Sequence, residues 1–192
     1  MARRLIIMRH AKSDWDAQAH SDFDRPLAKR GWRDAPRMGQ WLLSERMQPD
    51  FVVSSPAKRA RQTVIEVCTA LKINPDTIQW QPKIYEAGVG ELLRVLAVVP
   101  PASQCTLLVG HNPGLEMLLT HLVSAENIHR YAVANSHSGG LSDTGNEEYP
   151  PEFGIIKTAT VVYLELPDIW TELPRDCAQL LGKKNPRELA KG

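Results

Sequence analysis

The sequence predicts an α/β fold in three layers, a mostly parallel sheet flanked by helices on both faces. Three observations carry that expectation. The runs Leu5-Ile6-Ile7-Met8, Phe51-Val52-Val53 and Thr106-Leu107-Leu108-Val109 are short and nearly or wholly apolar, as strands covered on both faces should be. Each run breaks into polar or turn-forming residues, and a segment with helical spacing comes next. Strand, loop and helix therefore alternate, which argues for crossover connections and a parallel sheet.

The first strand, residues 5–8, gives way to Arg9 and His10. Residues 11–26 are polar, with Asp14, Asp16, Asp22, Asp24 and Pro26, and read as a loop. A helix is expected to begin between 27 and 31. Trp32, Ala35, Met38, Gly39, Trp41, Leu42 and Met47 fall mostly at helical spacing, and Pro36 must lie early in that helix or kink it. Residues 51–54 form the second strand. Ser55-Pro56 has the form of an N-cap with proline at the first helical position, and its helix should extend to residue 71.

A short strand is expected over 78–81 and a helix over 90–98, stopped by Pro100 and Pro101. Residues 106–110 are the third strong strand and 113–122 the next helix. From 124 to 154 the rhythm is lost in small, polar and turn-forming residues, so a long inserted surface loop is expected there, of a length that points to function or mobility. A β-branched pattern over 155–166 predicts the last strand, and the charged tail from Lys183 is expected to fray. No repeat or long linker divides the chain, so residues 1–192 are expected to be a single domain.

Composition narrows the function. With 192 residues, 43% of them hydrophobic, the chain can bury roughly 70% of its unfolded surface. A core and a concave site can then coexist without disulfides or structural metal. Lys plus Arg is 23 and Asp plus Glu is 22, a formal charge of +1. Nothing global draws such a chain to nucleic acid or to a membrane, and any phosphate recognition must be local. Cys68, Cys105 and Cys177 are odd in number and lack metal-binding spacing, which suits reduced thiols. The apolar run near the N-terminus ends at Arg9, too soon for a secretory or membrane-spanning segment, and a cytoplasmic protein is expected.

Ligands in sheets of this type gather at the carboxyl ends of strands. Arg9-His10, Ser54-Ser55 and His111-Asn112 all stand at such ends, and Arg59 lies near the start of the helix after the second strand. Two arginines and two histidines brought together repel one another unless something anionic lies among them, and planar guanidinium forks suit phosphate oxygens. The joint pattern points to a phosphate site. No HxH, HxxxH or HExxH spacing supports a metallohydrolase, so neither metal nor cofactor is expected.

Three segments, Leu5-Ile6-Ile7-Met8-Arg9-His10-Ala11-Lys12-Ser13, Ser54-Ser55-Pro56-Ala57-Lys58-Arg59-Ala60-Arg61-Gln62-Thr63 and Val109-Gly110-His111-Asn112-Pro113-Gly114-Leu115-Glu116, resemble the histidine phosphatase superfamily, also called phosphoglycerate mutase-like. Asp24-Arg25-Pro26-Leu27 with Lys29-Arg30-Gly31, and Gly154-Ile155-Ile156-Lys157-Thr158-Ala159, resemble its small SixA-type phosphohistidine phosphatase branch. The resemblance is collinear from residue 4 to 122 and resumes near 154.

The resemblance implies a metal-independent, two-step phosphoryl transfer through a phosphohistidine enzyme intermediate. His10 would be the nucleophile, Arg9, Arg59 and His111 would hold the phosphoryl oxygens, and Ser13 and Asn112 would border the pocket. Physical chemistry agrees: a neutral imidazole nitrogen is a good nucleophile near neutral pH when its other nitrogen donates to a fixed acceptor. Prepositioned cations stabilise the charge that spreads over three equatorial oxygens. Superfamily members often carry an acid between the second and third motifs, and Glu86, in Ile84-Tyr85-Glu86-Ala87, is the candidate here.

The implied substrate is a phosphohistidine on a protein, a histidine-phosphotransfer domain being one such partner. The alternative is a small phosphorylated molecule, such as a sugar or other ester. A mutase needs inserted segments to exclude water and hold a second charged group, for which only 124–154 is available. A phosphate-binding module without turnover is the non-catalytic alternative. His20, His121, His129 and His137 show no ligand spacing and are expected to be structural or exposed, while Asp22 and Asp24 are expected to pair with Arg25 or Arg30.

Overall fold

In the computed structural model, residues 2–134 and 156–191 are described. The chain forms β1 (Arg3–Arg9), α1 (Lys29–Ser44), β2 (Phe51–Ser54), α2 (Lys58–Ala70), β3 (Gln79–Trp80) and α3 (Val89–Ala97). It continues with β4 (Cys105–Gly110), α4 (Gly114–Leu122), α5 (Ala125–Ala134), β5 (Val161–Leu166) and β6 (Gln179–Lys184). The strands make one sheet in the order β3-β2-β4-β1-β5-β6. β3, β2, β4 and β1 pair in parallel, whereas β5 runs against both of its neighbours.

Alternation along the strands explains the layers. Ile6 and Met8 of β1 point to one face, with Val52, Leu107, Val109 and Val161, and there they meet Met38 and Leu42 of α1 and Val64 and Val67 of α2. Leu5 and Ile7 point the other way, with Val53, Leu108, Val162 and Leu164, and meet Leu92 and Leu96 of α3, Leu115 and Leu119 of α4 and Ile128 of α5. Burial on both faces is why the central strands read as unbroken apolar runs.

Several expectations need correction. α2 begins at Lys58 rather than at Pro56, because the Ser55 N–H still donates to the Val109 carbonyl (3.1 Å) and its hydroxyl accepts from the Ala57 N–H (3.2 Å). Of the two places the sequence allowed Pro36, the early one is ruled out, because it lies in the interior of α1. The expected loop from 124 opens with helix: Ser124 Oγ accepts from the Asn127 N–H (3.3 Å), and Ile128 enters the core. The rest of that segment, 135–154, with His137, lies outside the described residues.

β5 starts at Val161, not at 155. Residues 157–160 instead form a turn in which Ala159, at φ 59°, donates to the Arg9 and His10 carbonyls (3.1 and 3.2 Å). Nor is β5 the last strand. The tail does not fray at Lys183, because β6 runs from 179 to 184 and the Lys183 N–H donates to Tyr131 Oη (2.9 Å). Its sequence, Gln-Leu-Leu-Gly-Lys-Lys, lacks clean alternation because it is a half-exposed edge strand with a bulge at its pairing with β5.

Candidate active site

Register dictates the site. Arg9 pairs with Gly110 and Ser54 with Val109, so β1, β4 and β2 end side by side and His10, His111 and Ser55 emerge along one edge. The His10 N–H still donates to the Gly110 carbonyl (3.1 Å). Arg59, in the first turn of α2, reaches back into the same space. His10, Arg59 and His111 are all buried there.

His10 is held by both ring nitrogens. Its Nδ1 lies 2.8 Å from the Ala11 carbonyl oxygen, an acceptor only, so the proton resides on Nδ1. Nε2 accepts from Arg59 Nε at 3.2 Å. The His111 ring lies 5.0 Å from that of His10, with Nε2 2.8 Å from Ser55 Oγ. The Ser55 hydroxyl oxygen also accepts from the Ala57 N–H; with its O–H turned to Nε2, the His111 proton lies on Nδ1. His111 Nδ1 is buried without a partner among the described residues, as is Arg9 Nε. Unmade hydrogen bonds of this sort cost about 1–3 kcal/mol each, and an oxyanion would supply them.

Burial pushes both imidazoles down to about 3, helped by the nearby charges of Arg59 and Arg9. Both rings are therefore neutral at pH 7. Arg9 is lowered by burial too, opposed by the buried carboxylate of Glu116. Residue 156 anchors this side of the site: its carbonyl accepts from Arg9 Nη1 (3.1 Å) and Asn112 Nδ2 (3.0 Å), and its N–H donates to Glu116 Oε1 (3.1 Å).

Sequence reasoning assigned Asp22 a pairing with Arg25 or Arg30, and its carboxylate does bind Arg25, through Nε (3.1 Å) and Nη2 (2.6 Å). It also binds Arg59 Nη2 (2.8 Å) and accepts from Tyr85 Oη (3.0 Å), while its carbonyl accepts from Arg59 Nη1 (2.5 Å). Hydrogen bonds from Arg25 and Tyr85 and the Arg59 charge hold this carboxyl below its usual range despite an opposing desolvation effect. Arg25 in turn donates to Ser13 Oγ (2.7 Å) and lies 3.5 Å over the Trp15 ring.

Arg9, His10, Arg59 and His111 thus come together, with Ser13 and Asn112 attached through Arg25 and residue 156. Glu86 stands apart. It is exposed, in the left-handed region at φ 54°, next to Tyr85, whose ring packs edge-on against His111 at 5.4 Å. Besides the Asp22–Arg59 bond, sequence reasoning missed Tyr85, the Ser55–His111 contact and Thr63, whose hydroxyl accepts from the Ala11 N–H (3.0 Å) and donates to the Arg59 carbonyl (2.6 Å). Thr63 falls one turn after Arg59, a spacing visible in the sequence.

The chain resembles known proteins in sequence and in fold. The family model for the histidine phosphatase superfamily (branch 1) matches residues 5–95. A Nakamurella multipartitia structure assigned as a phosphohistidine phosphatase SixA is 30% identical, with 97% of each chain covered and a TM-score of 0.72. A structure given the same assignment from Agrobacterium tumefaciens is 26% identical over 97% of this chain and 99% of that one, with a TM-score of 0.70. The phosphohistidine phosphatase SixA of Escherichia coli K12 is 29% identical over 147 residues, 74% of this chain and 88% of that protein. The chain belongs to the histidine phosphatase superfamily, in its SixA-type branch, and is a phosphatase. Its mixed six-stranded sheet with flanking helices is the phosphoglycerate mutase-like fold.

Proposed function

We propose that this phosphatase works through a covalent phosphohistidine at His10 and acts on phosphohistidine carried by a protein. One observation supports the nucleophile above all others. The Ala11 carbonyl fixes the His10 proton on Nδ1 and leaves the Nε2 lone pair facing Arg59 among the cations. In the first step Nε2 attacks phosphorus, the new N–P bond forms, and the bond from phosphorus to the substrate imidazole breaks. That imidazole leaves with the bonding pair and takes a proton. In the second step water attacks the phosphoryl group, the N–P bond to His10 breaks, inorganic phosphate departs, and Nε2 regains its lone pair.

The cationic side chains have defined parts in both steps. As Nε2 becomes bonded to phosphorus, the Arg59 Nε–H that it had accepted turns to a phosphoryl oxygen. Arg9 Nε–H and His111 Nδ1–H, both without partners among the described residues, donate to the other oxygens. Guanidinium groups in a water-poor site neutralise the transferred charge, so the scheme uses no divalent ion. Asn112 and Ser13 border the phosphoryl group, and Glu86 serves as the acid when the leaving group is an alcohol. A leaving imidazole needs less help, which fits an exposed carboxylate. The names of the SixA relatives support a phosphohistidine substrate.

A substrate panel tests the proposal: phosphohistidine protein, phosphoramidate, phosphoserine peptide and sugar phosphates, each with chelator present. Turnover of the phosphoramidate and the phosphohistidine protein, undiminished by chelator, is expected. Preference for a sugar phosphate, or loss of activity with chelator, overturns it.

A further inference from the structure

Beside the site, a cleft of about 180 Å³ is lined by Lys12, Arg30, Lys157, Thr158, Asn185 and Arg187, with no carboxylate in its wall. Water takes about 30 Å³ of liquid volume per molecule, so this space admits a tetrahedral oxyanion with part of its hydration shell. In a chain whose formal charge is only +1, four cations around one cleft are a local concentration.

Those charges are poorly compensated. Lys12, Lys157 and Arg187 form no side-chain ion pair among the described residues. Arg30 does meet Asp34 (3.1 Å), but Asp34 is shared with Arg33 (3.2 Å). Glu188, next to Arg187 in the chain, is instead held by the Asn185 side-chain amide (2.5 Å) and N–H (3.2 Å). Arg30 also stands in the first turn of α1, a helix of 16 residues with no capping side chain and no acidic residue in that turn. Its unsatisfied N–H groups add positive potential on the same side.

The cleft and the candidate active site share their backbone. Lys12 lies two residues beyond His10, and Lys157 is next to residue 156, whose carbonyl holds Arg9 and Asn112. Ala159, just past Thr158, is hydrogen-bonded to the Arg9 and His10 carbonyls. The cleft is therefore tied through these hydrogen bonds to the same backbone that carries Arg9 and His10.

We propose that this cleft is a second oxyanion subsite, taking a carboxylate or phosphate carried by the same substrate molecule whose phosphoryl group reaches His10. The identity of that substrate rests on the phosphatase reading above; the existence of the subsite does not. On a protein substrate the recognised feature is an acidic side chain near the phosphorylated residue.

Two arms test this with the full chain and the double variant Lys157→Ala/Arg187→Ala. In the first, inorganic phosphate is titrated while backbone amide shifts are followed. Two groups of saturating shifts are expected in the wild type, one around Arg9 and His111 and one around 157–158 and 185–187, and the double variant loses only the second. No saturating response at 157–158 and 185–187, or one that the variant leaves intact, overturns the subsite. The second arm compares phosphohistidine peptides with acidic or with neutral flanks, alongside p-nitrophenyl phosphate. A KM about tenfold lower for the acidic peptide is expected in the wild type and absent in the variant, with p-nitrophenyl phosphate turnover unchanged. Loss of the second phosphate response without any flank preference rejects the substrate-borne source and assigns the cleft to a free oxyanion. If neither peptide is turned over, the phosphohistidine reading fails, and the first arm alone decides for or against the cleft.

Discussion

His10 and His111 differ in their hydrogen bonds yet share one electrostatic situation. Each is buried beside two guanidinium groups, so each is held neutral, with a pKa near 3. Their proton NMR signals are expected to show no titration between about pH 5 and pH 8 in the ligand-free protein, where an ordinary histidine changes form near 6.5. A midpoint near 6.5 for either ring contradicts this electrostatic picture. Glu86, exposed beside Tyr85, belongs to the same scale. Glu86→Gln is expected to slow an ester substrate more than a phosphoramidate, because only the alkoxide needs a strong proton donor. Equal slowing of both removes Glu86 as the acid.

At the scale of elements, the site depends on close packing between α4 and the segment that carries Tyr85 and Glu86. A Cβ on Gly114, at the first residue of α4, would lie 2.2 Å from the Ala87 carbonyl oxygen, and that backbone atom cannot move aside alone. Gly114→Ala is expected to cost about 1–3 kcal/mol and to lower activity, because it displaces Tyr85 from His111 and Asp22. Gly90→Ala is the control: only the flexible Arg94 guanidinium comes near, at 3.9 Å, and no loss of stability is expected. Urea unfolding of both variants checks the pair, and equal stabilities contradict this account of the packing.

How far the elements were legible depends on where they are buried. β1, β2 and β4 stand out in sequence because both faces are covered, and Arg9-His10, Ser55 and His111 could be located simply as the polar residues at the end of each run. β6 escaped because an edge strand with exposed residues and a glycine opposite Tyr163 shows no period of two. α5 escaped because its neighbours in sequence, from 135 onward, dominate the composition of that region. The Asp22–Arg59 bond joins residues 37 apart, and no local pattern encodes it. Arg25, only three residues from Asp22, was within reach of a sequence argument, and that pairing is present.

For the whole molecule, the same two neutral histidines tie stability to pH. Their folded pKa values near 3 lie below the ordinary 6.5, so between those limits the unfolded chain binds more protons than the folded one. Stability is therefore complete above about pH 6.5 and falls as pH drops toward 3, by up to about 1.4 kcal/mol per pH unit for each ring. Asp22, held below its usual range, adds a loss in the same direction, but only below about pH 4. Urea unfolding at about pH 7 and about pH 5 is expected to show the wild type weakening between the two, and His111→Gln weakening less. Stability that rises on acidification through this range contradicts the sign.

The scheme as a whole requires phosphorus to become bonded, for a time, to one nitrogen of one residue. The direct measurement is rapid acid-free quenching of the enzyme with a ³²P-labelled phosphoramidate, then peptide mapping of the label. Label that is acid-labile, alkali-stable and confined to the peptide containing His10, together with neither label nor turnover in a folded His10→Ala variant, is the predicted result. Label on another residue, or a His10→Ala protein that still turns over substrate, contradicts it.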